Sequence, residues 1–347
     1  MRNCLVIVSI LILFLSCNDR DRVVSFTLDQ AILDTADILK PESMDFNIPI
    51  TAGAISVWHD SIAIVLNVED GNRKMLELYN MNDGTLIKDF FFKGRGPNEI
   101  LSSIALLHND TIVVDEFVQH KIAVLPVRSL LFDNDYKPVF RPYDMNSQRM
   151  WPYRGKLLGV NPNCYVDKRN GINNDGERFI VSDSCYKYVE TRHFEVNTIN
   201  LTGADFFISY GKNRIFYYSI DRPEIEIYDT NLRLLRKIHG IRHNDNIKYT
   251  ELNGYLYSER EHSDAYTNAC TDSEYVYIVY LNPQPGDTSW EDSDNYVLKF
   301  DWDGNFIDSY LIRHGIAAIS VSEDGRSLYA FGTGQDGYPV LNKYLMR

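Results

Sequence analysis

The sequence predicts an all-β fold, a six-bladed β-propeller whose ring is closed by an N-terminal strand completing the last blade. Three observations predict it. A short apolar strand, a tight polar turn and a second strand rich in β-branched or aromatic residues recur six times along the chain. The repeats are spaced by about fifty residues, the length of one four-stranded blade. The final repeat ends one strand short, and a lone strand at the other end of the chain stands ready to supply it.

Residues 1–16 are expected to be a signal peptide. Arg2 supplies a short basic region, and Leu5 to Leu15 is an apolar run with Ser9 as its only polar member. That run is too short to cross a bilayer, and Ser16-Cys17 and the polar stretch 18–22 follow at once. Leu13-Phe14-Leu15-Ser16-Cys17 resembles a bacterial lipobox, whose cysteine is acylated and becomes the first residue of the mature protein. The resemblance implies lipid attachment at Cys17 and a short anchored tether over 17–22; the alternative is ordinary cleavage with Cys17 a bystander. Residues 23–347 then form the propeller domain, and no second apolar run reaches the length of a membrane helix.

The first turns of the repeats are His59-Asp60-Ser61, His108-Asn109-Asp110, Arg154-Gly155-Lys156, Gly211-Lys212-Asn213, Thr271-Asp272-Ser273 and Glu323-Asp324-Gly325. Counted from residues 59, 108, 154, 211, 272 and 324, the spacings are 49, 46, 57, 61 and 52. Each turn runs into a strand, the first being Ile62–Asn67. A second hairpin closes each repeat, as at Asn80-Met81-Asn82-Asp83-Gly84 and Asp301-Trp302-Asp303-Gly304. Asp-Gly and Asn-rich centres supply the positive φ that tight hairpins require. Val23 to Leu28 is the lone strand, expected to pair with Val340 to Met346 and so remove an open sheet edge.

With strands A to D in each blade, the A–B and C–D turns fall on one face, and the B–C loops and D–A crossings on the other. The first set is short throughout. The second holds the long segments, among them 91–101, 141–152, 239–268 and 282–295. Binding is expected on that long-loop face, because loops vary without disturbing packed strands.

Composition narrows the function classes. Cutting before Cys17 removes one Arg and no acid, leaving 34 basic against 48 acidic residues and a net charge of −14. With no basic cluster to offset it, such a surface repels nucleic acid and anionic lipid headgroups, and nucleic acid is not expected as a partner. Cys164, Cys185 and Cys270 remain, with no CxxC pair and hence no zinc-like spacing. Cys164 and Cys185 either pair in an oxidising compartment or stay as buried thiols.

Lys93-Gly94-Arg95-Gly96-Pro97-Asn98-Glu99, Ile104-Ala105-Leu106, Asp110 to Asp115 and His120-Lys121-Ile122-Ala123-Val124 together resemble one NHL-type propeller repeat. Asn98 stands where Gly is usual, and His120-Lys121 replaces an Asn-x-Arg. Residues 296–311 and 328–346 resemble the closing blades of TolB-like six-bladed propeller lipoproteins, common in anaerobic Gram-negative gut bacteria. The resemblance implies export and lipid anchoring in a Gram-negative cell envelope, at the outer membrane, and lends no particular activity.

Four segments have a functional reading beside a structural one. Arg95 and Glu99 either offer a charge pair to an acidic or amide-bearing ligand or bond neighbouring backbone in a Gly- and Pro-shaped crossing. Arg149, Trp151, Tyr153 and Arg154 crowd six residues, and aromatic and Arg side chains anchor binding patches. The competing reading has Trp151 and Tyr153 open the innermost strand of blade three and pack between blades. Residues 252–266 are expected as a short amphipathic insertion or a solvated cover. His239 and His243 have a spacing that suits a metal only on a helix, which Gly240 opposes.

Neither a Gly-x-Ser-x-Gly elbow nor a His-Glu-x-x-His occurs, and the expected inner strands offer mainly Asp205 as a carboxylate. The expected function is a lipid-anchored binding or scaffold protein of the cell envelope. It would engage a protein, peptide or glycan through its long-loop face, with no cofactor and no metal. The candidate residues are Arg95, Glu99, Arg149, Trp151, Tyr153 and Arg154. The alternative is an exported propeller enzyme, such as a metal-dependent lactonase, a lyase or a glycan-active protein. Cys17→Ala is expected to release the protein from the membrane fraction and abolish acyl labelling, and continued membrane association of the variant would overturn the anchor.

Overall fold

Six antiparallel sheets stand side by side around one axis in the computed structural model. It describes residues 23–44, 52–67, 73–108, 110–144, 150–160, 166–167, 171–172, 179–182, 188–191, 206–219, 224–241, 249–252, 255–258, 265–282, 294–313, 315–333 and 339–346. From the axis outward, blade one is Ala52–Trp58, Ile62–Asn67, Leu76–Asn80 and Leu86–Phe90. Blade two is Ile104–His108, Thr111–Glu116, Lys121–Pro126 and the short Arg141–Pro142. Blade three is Met150–Tyr153, Lys156–Val160, Phe179–Ser182 and Tyr188–Thr191. Blade four is Phe206–Gly211, Arg214–Ser219, Glu224–Asp229 and Leu234–His239. Blade five is Ala265–Thr271, Tyr275–Asn282, Asp294–Asp301 and Phe306–Ile312. Blade six has three local strands, Ile316–Val321, Ser327–Thr333 and Pro339–Leu345.

The near-continuous apolar strands follow from their position between two neighbours. Successive side chains point to opposite faces of a sheet. In blade four, Ile215 and Tyr217 pack with Leu158 and Phe179 of blade three, while Phe216 joins Val276 and Ile278 of blade five. Tyr277 and Val279 turn the other way, toward Ile319 and Leu328 of blade six. Both faces of each such strand are therefore buried, and alternation with polar residues disappears. The hairpins between the first and second strands of a blade are tight. His59 and Asp60, Arg154 and Gly155, and Lys212 and Asn213 all have positive φ, the pair of left-handed residues that a two-residue hairpin requires.

The ring closes, but with a different strand from the one expected. Val24–Thr27 does not pair with the last strand of blade six. It lies parallel to Leu234–His239 as a fifth strand of blade four, with Val24 opposite Arg236 and Thr27 opposite His239. The chain passes through the helical turn Ala31–Asp34 and adds Asp37–Ile38, parallel, to the outer edge of blade five. Pro41–Ser43 then pairs antiparallel with Asn342, Lys343 and Tyr344, and this is the fourth strand of blade six. The physical reason is packing. Leu28 and Leu33, both about 4 % exposed, fill the cleft between blades four and five among Ile225, Ile238 and Leu311.

The N-terminal segment is thus a strap over three outer edges. Leu28 N donates to His239 O at 2.9 Å, Leu39 N to Leu311 O at 3.0 Å, and Ser309 Oγ to Ile32 O at 2.6 Å. Ser25 Oγ lies 2.9 Å from His239 Nε2. Behind that bond, Lys237 Nζ is 3.0 Å from Glu224 and 2.9 Å from Glu226, and His239 Nδ1 is 3.2 Å from Glu224. Burial pushes the Glu224 carboxyl up, yet the His239 bond and the Lys237 charge outweigh it and hold it well below the usual range. Burial pulls Lys237 down, and the two carboxylates outweigh that and raise it. Glu224's contribution is lost only as pH falls through its lowered value, and Lys237's only as pH rises through its raised one. The cluster therefore holds across the whole interval between.

Removing residues 23–28 is expected to uncover blade four while leaving blade six closed. Removing residues 23–43 should open the ring, lower the melting temperature much further and cause aggregation. Leu33→Ala should cost about 2–5 kcal/mol. Melts with light scattering check all three, and equal melting temperatures for the two truncations would overturn the closing role of Pro41–Ser43.

Candidate functional site

The innermost strands enclose an axial cavity of about 820 Å³. Small side chains make much of its wall, including Ala54, Ser56, Ala105, Ala269 and Ala317. An innermost strand has one edge without a ladder partner, so its backbone groups need other bonds. Val57 N of blade one donates to Ser320 Oγ of blade six at 2.9 Å. Asn268 of blade five accepts from Ile319 N at 3.3 Å and donates to Ala317 O at 3.2 Å. Two side chains thereby stitch three inner strands together.

At the short-turn mouth, His59 lies between two carboxylates, with Nδ1 2.7 Å from Glu323 and Nε2 3.1 Å from Asp110. Trp58 Nε1 also donates to Asp110, at 2.8 Å, and the bonds from Trp58 and His59 hold that carboxyl below its ordinary value. An acid–imidazole–acid chain has the parts of general acid–base chemistry. Here both ring nitrogens are taken up in joining the turns of blades six, one and two. Burial keeps the pKa of His108 low and pushes the thiol of Cys270 up, away from reactive thiolate character. Among the described residues, no group of three His, Cys, Asp or Glu is placed to hold a metal ion.

The crossing from blade one to blade two begins at Phe91, a bulky residue at φ 63, whose ring sits 4.8 Å from that of Phe140. The Glu99 carboxylate folds back over the loop and accepts from Gly96 N at 2.7 Å. Only glycine leaves it room. A Cβ on Gly94 would collide with Glu99 Oε2, and one on Gly96 would lie 2.9 Å from Glu99 Cδ. Lys121, almost fully buried, donates to Gly96 O at 2.8 Å and Glu99 O at 2.6 Å, with Phe140 under its ammonium at 5.0 Å. Burial lowers the Lys121 pKa against the opposing pull of Glu116 and Glu99. Gln119 Nε2 reaches Gly94 O at 3.3 Å, and Asn98 Oδ1 accepts from Phe140 N at 3.3 Å.

The candidate residues do not converge on one patch. Arg95 is exposed on this rigid crossing, whereas Glu99 is spent holding it. Trp151 is buried in the innermost strand of blade three, packed with Ile215 and Tyr217 of blade four, and its side also meets the axial cavity. The Tyr153 hydroxyl donates to Thr230 O, and Arg154 Nη2 to Thr230 Oγ1 at 2.8 Å. Both lie at the short-turn face, opposite the Arg95 crossing. Arg149 lies outside the described residues, as do Cys17, Cys164, Cys185, Asp205 and His243. The expected insertion at 252–266 includes part of a small hairpin, Tyr249–Leu252 with Tyr255–Ser258.

Sequence reasoning missed Phe92, Val118 and Val139, all more than half exposed. Each is the chain neighbour of a residue that braces this crossing, namely Phe91, Gln119 and Phe140.

Residues 54–324 match the family model described as TolB-like 6-blade propeller-like. No curated protein matches the chain. Among solved structures, the chain is similar to a Bacteroides fragilis protein whose name describes it as exported. The TM-score is 0.56 at 13 % identity, covering 94 % of this chain and 100 % of that one. It is also similar to a DUF4221 family member from Bacteroides vulgatus, with a TM-score of 0.54 at 9 % identity, covering 90 % and 97 %. At these identities the likeness is one of fold.

Trp151→Ala is expected to cost about 3–5 kcal/mol of folding stability, as large core truncations do. Lys121→Ala should cost about 1–3 kcal/mol by removing the ammonium that Gly96 O and Glu99 O share. Chemical denaturation measures both, and a Trp151→Ala protein of unchanged stability would return that ring to the binding surface.

Proposed function

Because the chain belongs to the TolB-like six-bladed propeller family, we propose that it is an exported binding protein of the cell envelope. It is lipid-anchored through Cys17 in the outer membrane and engages a protein, peptide or glycan through its crossing face. One observation carries this reading. The crossing between blades one and two is braced by Lys121 and Glu99 and displays Arg95 and Phe92, both exposed. Arg and aromatic side chains dominate binding energies, and a loop already rigid gives up little entropy when a partner arrives. The exported Bacteroides neighbour and the lipobox at 13–17 support the location.

Glu99 acts here as a brace, and Trp151, Tyr153 and Arg154 as joints between blades three and four. Arg95→Ala and Phe92→Ala should each weaken capture of the envelope partner by about thirtyfold, the equivalent of about 2 kcal/mol, with little change in melting temperature. Capture measured by pull-down from the native envelope with both variants tests this, and undiminished capture by both would overturn the patch.

A further inference from the structure

The strap gives the propeller a direction. In every blade the innermost strand runs from the crossing face to the short-turn face, so the outermost strand runs back. Leu234–His239 therefore starts at the short-turn face, just after the hairpin in which Asp229 N bonds Arg233 O at 3.0 Å. Val24–Thr27 is parallel to it and starts beside Arg236. The chain thus enters the fold at the short-turn face of blade four and leaves toward the crossing face, where Leu28 N meets His239 O.

Residues 18–23 are all that separate Cys17 from Val24. Fully extended, they reach about 20 Å. A six-residue strand rises by about the same amount, which is the thickness of the ring. Turning the crossing face to the bilayer would consume the whole tether in passing along blade four.

The outer rim at the short-turn end carries a second feature. Val24 on blade four, Ile307 on blade five, Leu345 on blade six and Leu86 on blade one are each about half exposed. All four sit at the short-turn ends of their strands, by register with Arg236, by position after the hairpins at 301–305 and 80–85, and by pairing of Leu345 with Ser327. The hairpins of the same face also carry Asp83, Asp272, Asp303 and Asp324, which limits contact to headgroup depth.

We propose that the short-turn face lies against the lipid surface, pivoting on blade four with its aliphatic rim at the headgroups, and that the Arg95 crossing points away from the membrane. The proposal rests on the lipid anchor at Cys17 stated above.

The test uses the lipidated full-length protein in vesicles containing an acceptor-labelled headgroup lipid. A fluorescent non-natural side chain is placed at Asn231, on the short-turn hairpin of blade four, or at Asp29, at the crossing end of the strap. Energy transfer from position 231 should exceed that from 29 several-fold, and twenty Gly/Ser residues inserted after Asp19 should shrink the difference. Flotation of the same samples separates the two layers. Protein that fails to float overturns the anchor and the orientation with it. Protein that floats with equal or reversed transfer overturns the orientation alone.

Discussion

The edge of a β-sheet is a row of backbone donors and acceptors without partners, and a ring of sheets must deal with many such edges. Blade six meets the sharpest form of the problem, since its local sequence supplies only three strands. The pairing of Pro41–Ser43 with Asn342, Lys343 and Tyr344 resolves it. To reach that place the chain crosses the rims of blades four and five, and it covers their outer edges on the way. Closure and edge protection are therefore one device. The cleft that receives Leu28 and Leu33 is what holds it in place.

Inner edges are treated differently. They are joined by Ser320, Asn268 and the His59 chain, each reaching from one blade to the next. On the short-turn face polar side chains are largely absorbed by such joints: Arg154 on Thr230, Lys212 on Glu274, Arg214 on Asp303. Titratable groups that gather at the cavity mouth with the look of a reactive site are holding blades together. The crossing face, with its turns braced from below by Lys121, keeps Arg95 available.

Periodicity made the six blades legible, because each repeat must bury both faces of its second strand and turn tightly at the short-turn face. The closing strand was not legible. Pro41-Glu42-Ser43 has no apolar alternation, while Val23 to Leu28 has the composition of a strand and invited the assignment. Its partner was set by the shape of a cleft, which no local pattern encodes. The same limit applied at Gly94 and Gly96. Glycines announced a special loop, but that they make room for the Glu99 carboxylate is a three-dimensional fact. Trp151 and Tyr153 fell on the packing side of two open readings for a similar reason. A short run of aromatics looks alike whether it faces a partner or the next blade.

The order in which the chain is made gives the strap a further consequence. Ser25 meets His239 across 214 positions, and Ile32 meets Ser309 across 277. The strap, among the first segments of the chain to be made, thus has no docking site until blades four to six have been synthesised. Loop-closure entropy grows only slowly with such separations, so the cost is one of time more than of stability. A chain cut short before Pro339 can build several blades and still offers the strap no final edge. Completion of the ring therefore waits on the last blade, and until Asn342 to Tyr344 are in place the edge that Pro41–Ser43 covers does not exist.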